Sequence, residues 1–576
     1  MWSWVVPSGL VLWTVFNMLR RFGPRWRRVD HPDPEPLSPR VAMEDLSPEI
    51  VTEIASYLPH IWRVDLSTLS HSLRRSLRPI IFRTVKWSPR RRRGFPPEQI
   101  RPYIRTLILS GELGPDHASW DRTRVVSEAR ELLGRLPRCR TFVFSGDIPG
   151  GIWDDLLDVL SGSLILESPW LPAEEGQTIP LVAQRAANSP LPLEAVEYTS
   201  GMVQDVQGRV YRRPPLLATT EANNLRNLLS SCHSSLASLA VPGELILRGI
   251  DLSVSWTSIT VLLLEGLWPD AMLDNELDDN TDDEQNQDNL GDSREASPPT
   301  DTRSPILLVL EALRNLRILS LNMSFLRVDQ RPRIPVIGAN SSSFPRDANN
   351  FLPRLRVFEA ASLSANDHLL DFLPADLERL SLARYPLRPA APRIRQPILS
   401  CSSVEKWLED GRFSSLTALV LWYRIDSVED YAAEGRFLAF LPGMCPQLRR
   451  LVVHRRWNHH APTLNNLWDP VPRYRELLSQ LPRLSLFGFD ADTEDRAEKP
   501  PFRGPTTDFF DHLRRLRSLG EAIIVDAPWL QEVMMYRELG SNPAHSWEEW
   551  VVVAEPGKPA RLKQVMEWVF GEVVPY

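Results

Sequence analysis

SVEKWLEDGRFSSLTALVL, Ser403 to Leu421, sets a helix-like segment directly before a strand-like one. In the second part, Leu416, Leu419 and Leu421 hold the first, fourth and sixth places. Residues two apart on an extended chain share a face, so Leu419 and Leu421 point the same way while Ala418 and Val420 point the other. The same phrasing, apolar, two variable, apolar, one variable, apolar, returns along the chain. It stands as IRTLIL from Ile104, CRTFVF from Cys139, LASLAV from Leu236, ITVLLL from Ile259 and LRILSL from Leu316. It continues as LRVFEA from Leu355, LERLSL from Leu377, LTALVL from Leu416, LRRLVV from Leu448 and LPRLSL from Leu481. Several later copies are about 22 or 32 to 39 residues apart, and SPILLVLEALRNL, Ser304 to Leu316, is another helix-like segment between them. Strand, helix and next strand build right-handed parallel units that bury their apolar faces only by stacking, which predicts an α/β chain.

The series resembles the leucine-rich repeat in a degenerate, irregular form, since the Asn or Cys that normally follows the strand is missing from most copies. The resemblance implies a horseshoe of parallel strands with outer helices over residues 100–500. The variable positions would then face a concave surface that binds a protein, where arginine and aromatic side chains supply most contact energy. That selects Arg379, Trp422, Arg450, His454 and Phe487, with Trp457 just beyond its strand. An equally simple account places Trp422 and Phe487 in the array's own core. The array is interrupted at 269–304, where acids crowd from Asp270 to Asp292 with scarcely an apolar residue after Leu277. Like charges repel and little can be buried, so a disordered loop is expected. DNELDDNTDDEQ lacks the glycine and ligand spacing of a calcium-binding EF-hand loop. Residues 501–576, with helical patterns such as PARLKQVMEWVFGEVV from Pro559, are expected to cap the open end of the array.

A second organising stretch is LSPEIVTEIASYLPHIWRVDLSTLSHSLRRSLRPIIFRTV, Leu46 to Val85. Ser47 can cap a helix, Pro48 fits its first position and Glu49 faces the positive end of the helix dipole. Ile50, Ile54 and Leu58 recur four apart, and Leu66, Leu69, Leu73 and Leu77 follow at spacings of three and four, giving a helical hairpin over 43–88. The order Leu46-x-Pro48-Glu49-Ile50, then Ile54, then Leu58, then a leucine-rich second half, resembles an F-box. Members of that family bind the Skp adaptor of a cullin-RING ubiquitin ligase. By resemblance, Leu46, Pro48, Ile50, Ile54 and Leu58 would face the adaptor, whereas Trp62 departs from a usually polar position. The chain then reads as a substrate receptor with a Skp adaptor, a cullin scaffold and a protein substrate as partners, or as a scaffold unconnected with ubiquitination.

Residues 1–30 form an apolar leader followed by arginines, the layout of a membrane anchor through residues 1–20, and 31–42 form a proline-rich linker. Arginines after the leader would hold the remainder on the cytoplasmic side, and the receptor reading places the chain in the cytoplasm or nucleus. The length of 576 residues exceeds one compact core, and a net charge of -7 argues against a nucleic-acid surface spread over the molecule. Cys139, Cys232, Cys401 and Cys445 form no CxxC pair and read as reduced, buried thiols. The only lysines are Lys86, Lys406, Lys499, Lys558 and Lys563, so positive charge is almost wholly arginine. Neither a phosphate loop, a GxSxG elbow nor an HExxH helix occurs, and HRRWNHH, with His454, His459 and His460, makes at best a weak metal site. No cofactor, metal or catalytic residue is expected.

Overall fold

A computed structural model describes residues 46–56, 58, 60–88, 95–110, 122–145, 152–167, 182–183, 190–198, 203–204, 210–211, 215–269, 303–326, 335–340, 343–382, 394–395, 398–409, 413–457, 468–490, 507–536, 547–555 and 558–564. The leader, the linker, Arg90 to Arg93 and the acidic stretch 270–302 lie outside these residues. The chain is mixed α/β with a mostly parallel sheet, and it divides into two compact units.

The first unit comprises Met1–Pro149 with Glu549–Val551 and Lys563–Tyr576. Its first described residues form three helices: α1, Pro48–Ser56; α2, His60–Leu69; and α3, His71–Ile81. The leucine series from Leu66 to Leu77, expected as one helix, is cut at Ser70. There the backbone is extended and the hydroxyl accepts the Leu73 amide at 3.2 Å, capping a new helix. The break resets the helical phase, so Leu66, Leu73 and Leu77 turn inward while Leu69 is left 70% exposed. Val51, Ile54, Ala55, Leu58 and Ile81 complete the hairpin core, with Leu46, Trp62, Ile80 and Phe82 packed against it.

Beyond α3 the chain passes straight into a strand, Thr84–Trp87, parallel to Thr106–Leu109, which is parallel to Thr141–Phe144. Val85 and Trp87 align with Leu107 and Leu109, so FRTVKW, Phe82 to Trp87, is a further copy of the strand phrasing. Residues expected to end the hairpin therefore begin the sheet. The Arg83 carbonyl accepts two successive amides, Arg105 at 2.8 Å and Thr106 at 3.0 Å, and the Arg105 carbonyl accepts Arg140 and Thr141 likewise.

The second unit, Gly150–Glu548 with Val552–Leu562, continues the pattern. Its parallel strands pair in sequence order: Gly162–Leu166, Leu193–Tyr198, Ser238–Pro242, Val261–Leu267, Ile318–Leu326 and Val357–Ala361, then Arg379–Leu382, Ala418–Ile425, Arg450–Trp457, Leu486–Phe489 and Glu532–Tyr536. The forked bond recurs too, with Thr417 accepting from Arg449 and Arg450, and Arg449 accepting from Ser485 and Leu486. In most copies the first, fourth and sixth side chains are buried, as at Leu316, Leu319 and Leu321, all 0% exposed. Helices such as Pro305–Ala312, Cys401–Leu408, Val428–Met444 and Pro470–Ser479 run between strands. Ile394–Arg395 departs from the pattern, pairing antiparallel with the end of the Ile318 strand.

The Leu481 copy is out of phase: its strand begins at Leu486, so the true copy is LSLFGF, with Leu484, Phe487 and Phe489 inward. LEAVEY from Leu193 and LQEVMM from Leu530 are further copies hidden by Val, Tyr and Met at leucine places, and GSLIL is disguised by a register shift at Gly162/Ser163. Finally, 501–576 is not a purely helical cap. Thr507–Ile524 is a helix, but Trp547–Val553 and Arg561–Gln564 are strands, consistent with the valine run and with the Leu562 amide held by Glu521 at 3.0 Å. No helix among the described residues is long and apolar enough to cross a membrane.

Candidate functional site

Two surfaces gather the sequence-selected residues. The first is the outer side of the hairpin. The Ser47 carbonyl accepts the Val51 amide at 3.0 Å, and its hydroxyl faces the first turn of α1. Glu49, exposed beside it, has its carboxyl held below the ordinary range by its own amide and by Ser47. Arg63 closes the turn between α1 and α2, donating to the Leu58 carbonyl at 2.6 Å and the Ser56 carbonyl at 3.2 Å. Pro48 is exposed and Ile50 is 49% exposed, whereas Ile54 at 8% and Leu58 at 2% lie inside the hairpin. The expected docking stripe therefore splits. Its first half faces outward; its second half is sealed by the hairpin's own helices, because α1 crosses α3 there, and Leu46 is half-buried against the same core. Of the six exposed large hydrophobics among the described residues, three, Ile50, Val64 and Leu69, lie on these short helices.

The second surface is the sheet face turned away from the helices in the second unit. Alternation decides which side chains reach it. Leu451, Val453 and Arg455 point toward the helices, where the Arg455 Nε lies 3.0 Å from Glu434 of the Val428 helix and its guanidinium 4.1 Å over Trp468. The Tyr423 hydroxyl donates to the same carboxylate at 2.8 Å, and burial followed by the Glu434 charge pushes that phenol well up. Arg450, Val452, His454 and Arg456 alternate to the opposite face. Trp422 stands beside His454 in register, and the pairings of Val453 with Phe489 and Phe489 with Met535 put Asp490 and Tyr536 next in the same row.

The row is closely fitted. His454 Nε2 is 3.0 Å from Asp490, whose carboxylate is nearly fully buried. The imidazole lies 5.6 Å from the Trp422 ring, 4.2 Å from Tyr536 and 5.9 Å from Trp547, measured between ring centroids. Arg379 is exposed and Arg450 half-buried at the base of the same face. Trp422, His454, Arg379 and Arg450 thus lie on one side of the sheet, where Trp422 is itself buried at 6% exposure. Phe487 does not: it is fully buried on the helix side, 5.3 Å from both Tyr474 and Phe489, because the phase of its copy is shifted by three residues. Trp457 pairs with Ile425 at the strand end, and its side chain lies outside the described residues, as do His459 and His460.

Sequence reasoning missed Asp490, Tyr536 and Trp547. Asp490 and Tyr536 directly follow the inward Phe489 and Met535, and the signal was there once each copy is phased correctly. Among the described residues no group of His, Cys, Asp and Glu could hold a metal ion. All four cysteines are free, and burial pushes the Cys232 and Cys445 thiols up to about 12 and Cys401 higher still, so they are protonated at neutral pH. Compared with known proteins, the chain matches no family model and no curated protein.

Proposed function

We propose that the chain is the substrate-recognition subunit of a Skp-cullin-F-box ubiquitin ligase. The hairpin over 46–81 acts as the F-box that holds the adaptor, and the parallel array acts as an irregular leucine-rich repeat that receives a protein substrate. The chain itself catalyses nothing; its contribution is proximity, raising the concentration of a substrate lysine beside the transferring enzyme. It works in the cytoplasm or nucleus, with residues 1–20 available for attachment to a membrane.

The observation that carries this reading is the outward side of the hairpin, with Pro48 and Ile50 of the F-box-like Leu-x-Pro-Glu-Ile and the bare Leu69 turned away from their own core. Apolar side chains on a helix surface stabilise the molecule only when something covers them. The test is copurification of the Skp adaptor with Ile50→Asp/Leu69→Asp, which places charges on that side without entering the core. Loss of the adaptor with an unchanged melting curve is expected; an undiminished adaptor band would refute the assignment. Ile54→Asp serves as the contrasting variant, since a carboxylate in the hairpin core should unfold it. A scaffold unconnected with ubiquitination is the second reading, favoured by the sealing of Ile54 and Leu58, and it predicts no adaptor in the eluate of the unmodified chain.

A further inference from the structure

Within the second unit, the sheet face turned away from the helices changes its charge along the row of strands. The six strands from Gly162–Leu166 to Val357–Ala361 contain no Lys, Arg or His, whereas Arg379, Arg450, His454 and Arg456 stand on strands that follow. On those six, alternation turns the side chains between the inward leucines to the free face. Pairing then sets Glu197, Ala240, Leu263, Ser320 and Glu359 side by side in one register row. Glu265 lies two residues beyond Leu263, in register with Asn322, and Glu167 directly follows the first strand.

These acids act on one another. Burial first, and then the charges of Glu265 and Glu167, push the Glu197 carboxyl above its ordinary range. Among the described residues no hydrogen bond or ion pair engages the carboxylates of Glu197, Glu265 or Glu359. The nearest arginines on this side, Arg317 and Arg356, precede their strands, and Arg356 is already held by Asp376 and Glu378. A second observation is independent of charge. Ser320, 4% exposed, turns its hydroxyl to the same face without a partner, and the half-buried Asn322 amide beside Glu265 is equally unengaged. Buried polar groups are normally hydrogen-bonded, so an acceptor hydroxyl and an acceptor amide among three carboxylates mark the place of an N–H donor. Ala240 and Leu263, both half-buried, give the floor on which the methylene stem of a long cationic side chain can lie.

We propose that this face binds an extended basic segment of a partner polypeptide. One arginine or lysine is taken by Glu197 and Glu265, with the Ser320 hydroxyl and the Asn322 amide oxygen accepting further N–H groups, and a second by Glu359. Glu197 and Glu359 stand four strand spacings apart, about 19 Å, which an extended chain covers in about six residues. That the cations belong to a protein rests on the receptor reading above; the preference for a cation does not.

The test is fluorescence anisotropy of the full chain at physiological salt with a fluorescein-labelled alanine-serine peptide carrying two arginines about six residues apart, and with a twin bearing neutral citrulline at both places. The arginine peptide is expected to bind saturably. The twin, and the Glu197→Gln/Glu359→Gln variant, should each be weaker by at least about tenfold, the scale of one lost charge-assisted contact. Glu265→Gln alone should weaken binding by about threefold. Glu409→Gln/Glu476→Gln removes the same charge from the helices and should leave the affinity unchanged. Ile50→Asp/Leu69→Asp should also leave it unchanged, so failure here is separable from failure to hold an adaptor. Equal binding of the two peptides, or no binding up to about 1 mM, overturns the proposal. So does unchanged binding to either face variant at an unaltered melting temperature, or an equal loss with Glu409→Gln/Glu476→Gln, which would mean general attraction to an acidic chain. Saturable binding of labelled spermidine without binding of the peptide overturns the polypeptide as the source of the cation.

Discussion

At the scale of single residues, the fold spends its buried charges as fasteners between one strand and the helix behind it. Arg455 is fully buried with Glu434 at 3.0 Å, and the two are tied further by the Tyr423 hydroxyl. Taking out one member leaves the other uncompensated, so Glu434→Ala should cost about 3–5 kcal/mol in urea unfolding, while Glu434→Leu with Arg455→Met recovers most of it. Nothing in the sequence singled out this arginine, because inside a strand its pattern looks like that of the outward Arg450; only the position count from Leu448 sends it inward. Asp430 makes a second fastener. Burial alone would raise its carboxyl, but the Ser402 hydroxyl and amide, the Asp426 amide and the Ser427 hydroxyl outweigh it and hold the group below the ordinary 3.8. A carboxyl depressed by folding stabilises the native state above its unfolded value and stops doing so as pH falls through the folded one. The stability difference between the native chain and Asp430→Asn should thus be constant from pH 7 to 5 and shrink below about 3.8; a difference that persists to pH 2 would show that the hydrogen bonds do not depend on charge.

At the scale of elements, what was legible was periodicity, and what was not legible was phase. Spacings of three and four announced helices between Pro48 and Ile81, yet they could not reveal that Ser70 divides the second half, since a capping hydroxyl inside a leucine series looks like any polar residue. Leu69 and Leu77 therefore read alike in sequence and behave oppositely. Leu77→Ala, at a fully buried position, should cost about 2–5 kcal/mol, whereas Leu69→Ala, at 70% exposure, should stay within roughly 0.5 kcal/mol. Ser70→Ala should lower hairpin stability by about 1 kcal/mol by removing the acceptor for the Leu73 amide. The strand copies teach the same lesson. Leu481 before the Pro-x-Leu turn mimics the first leucine of a copy, and that three-residue slip leaves Phe487 open between binding face and core, of which the structure shows the core. The His454 row is half visible for related reasons: Trp422 and His454 lie in copies whose phase the leucines mark, Asp490 follows the copy that slips by three residues, and Tyr536 follows the Leu530 copy that valine and methionine hide.

At the scale of the whole molecule, the first unit shows no joint where the sequence placed one. Residue 88 was expected to close a separate hairpin domain, but Thr84–Trp87 is hydrogen-bonded into the sheet, and Trp87 is 1% exposed, in register with Leu109. The carbonyl that ends the hairpin, Arg83, receives both Arg105 and Thr106. A proposed adaptor-binding element built this way cannot swing freely against the strands next to it, because any rotation about Arg83 breaks two backbone bonds and uncovers an indole. The consequence is a shared unfolding unit. Trp87→Ala removes a large core side chain, at a cost of about 3–5 kcal/mol. In native-state hydrogen exchange on the full chain, it should speed not only the Thr106 amide but also the Leu73 and Phe82 amides of the hairpin, all by a similar factor. Were the strand amides alone to accelerate while those two kept their protection, the hairpin would be an autonomous domain after all, and its fusion to the sheet would carry no mechanical meaning.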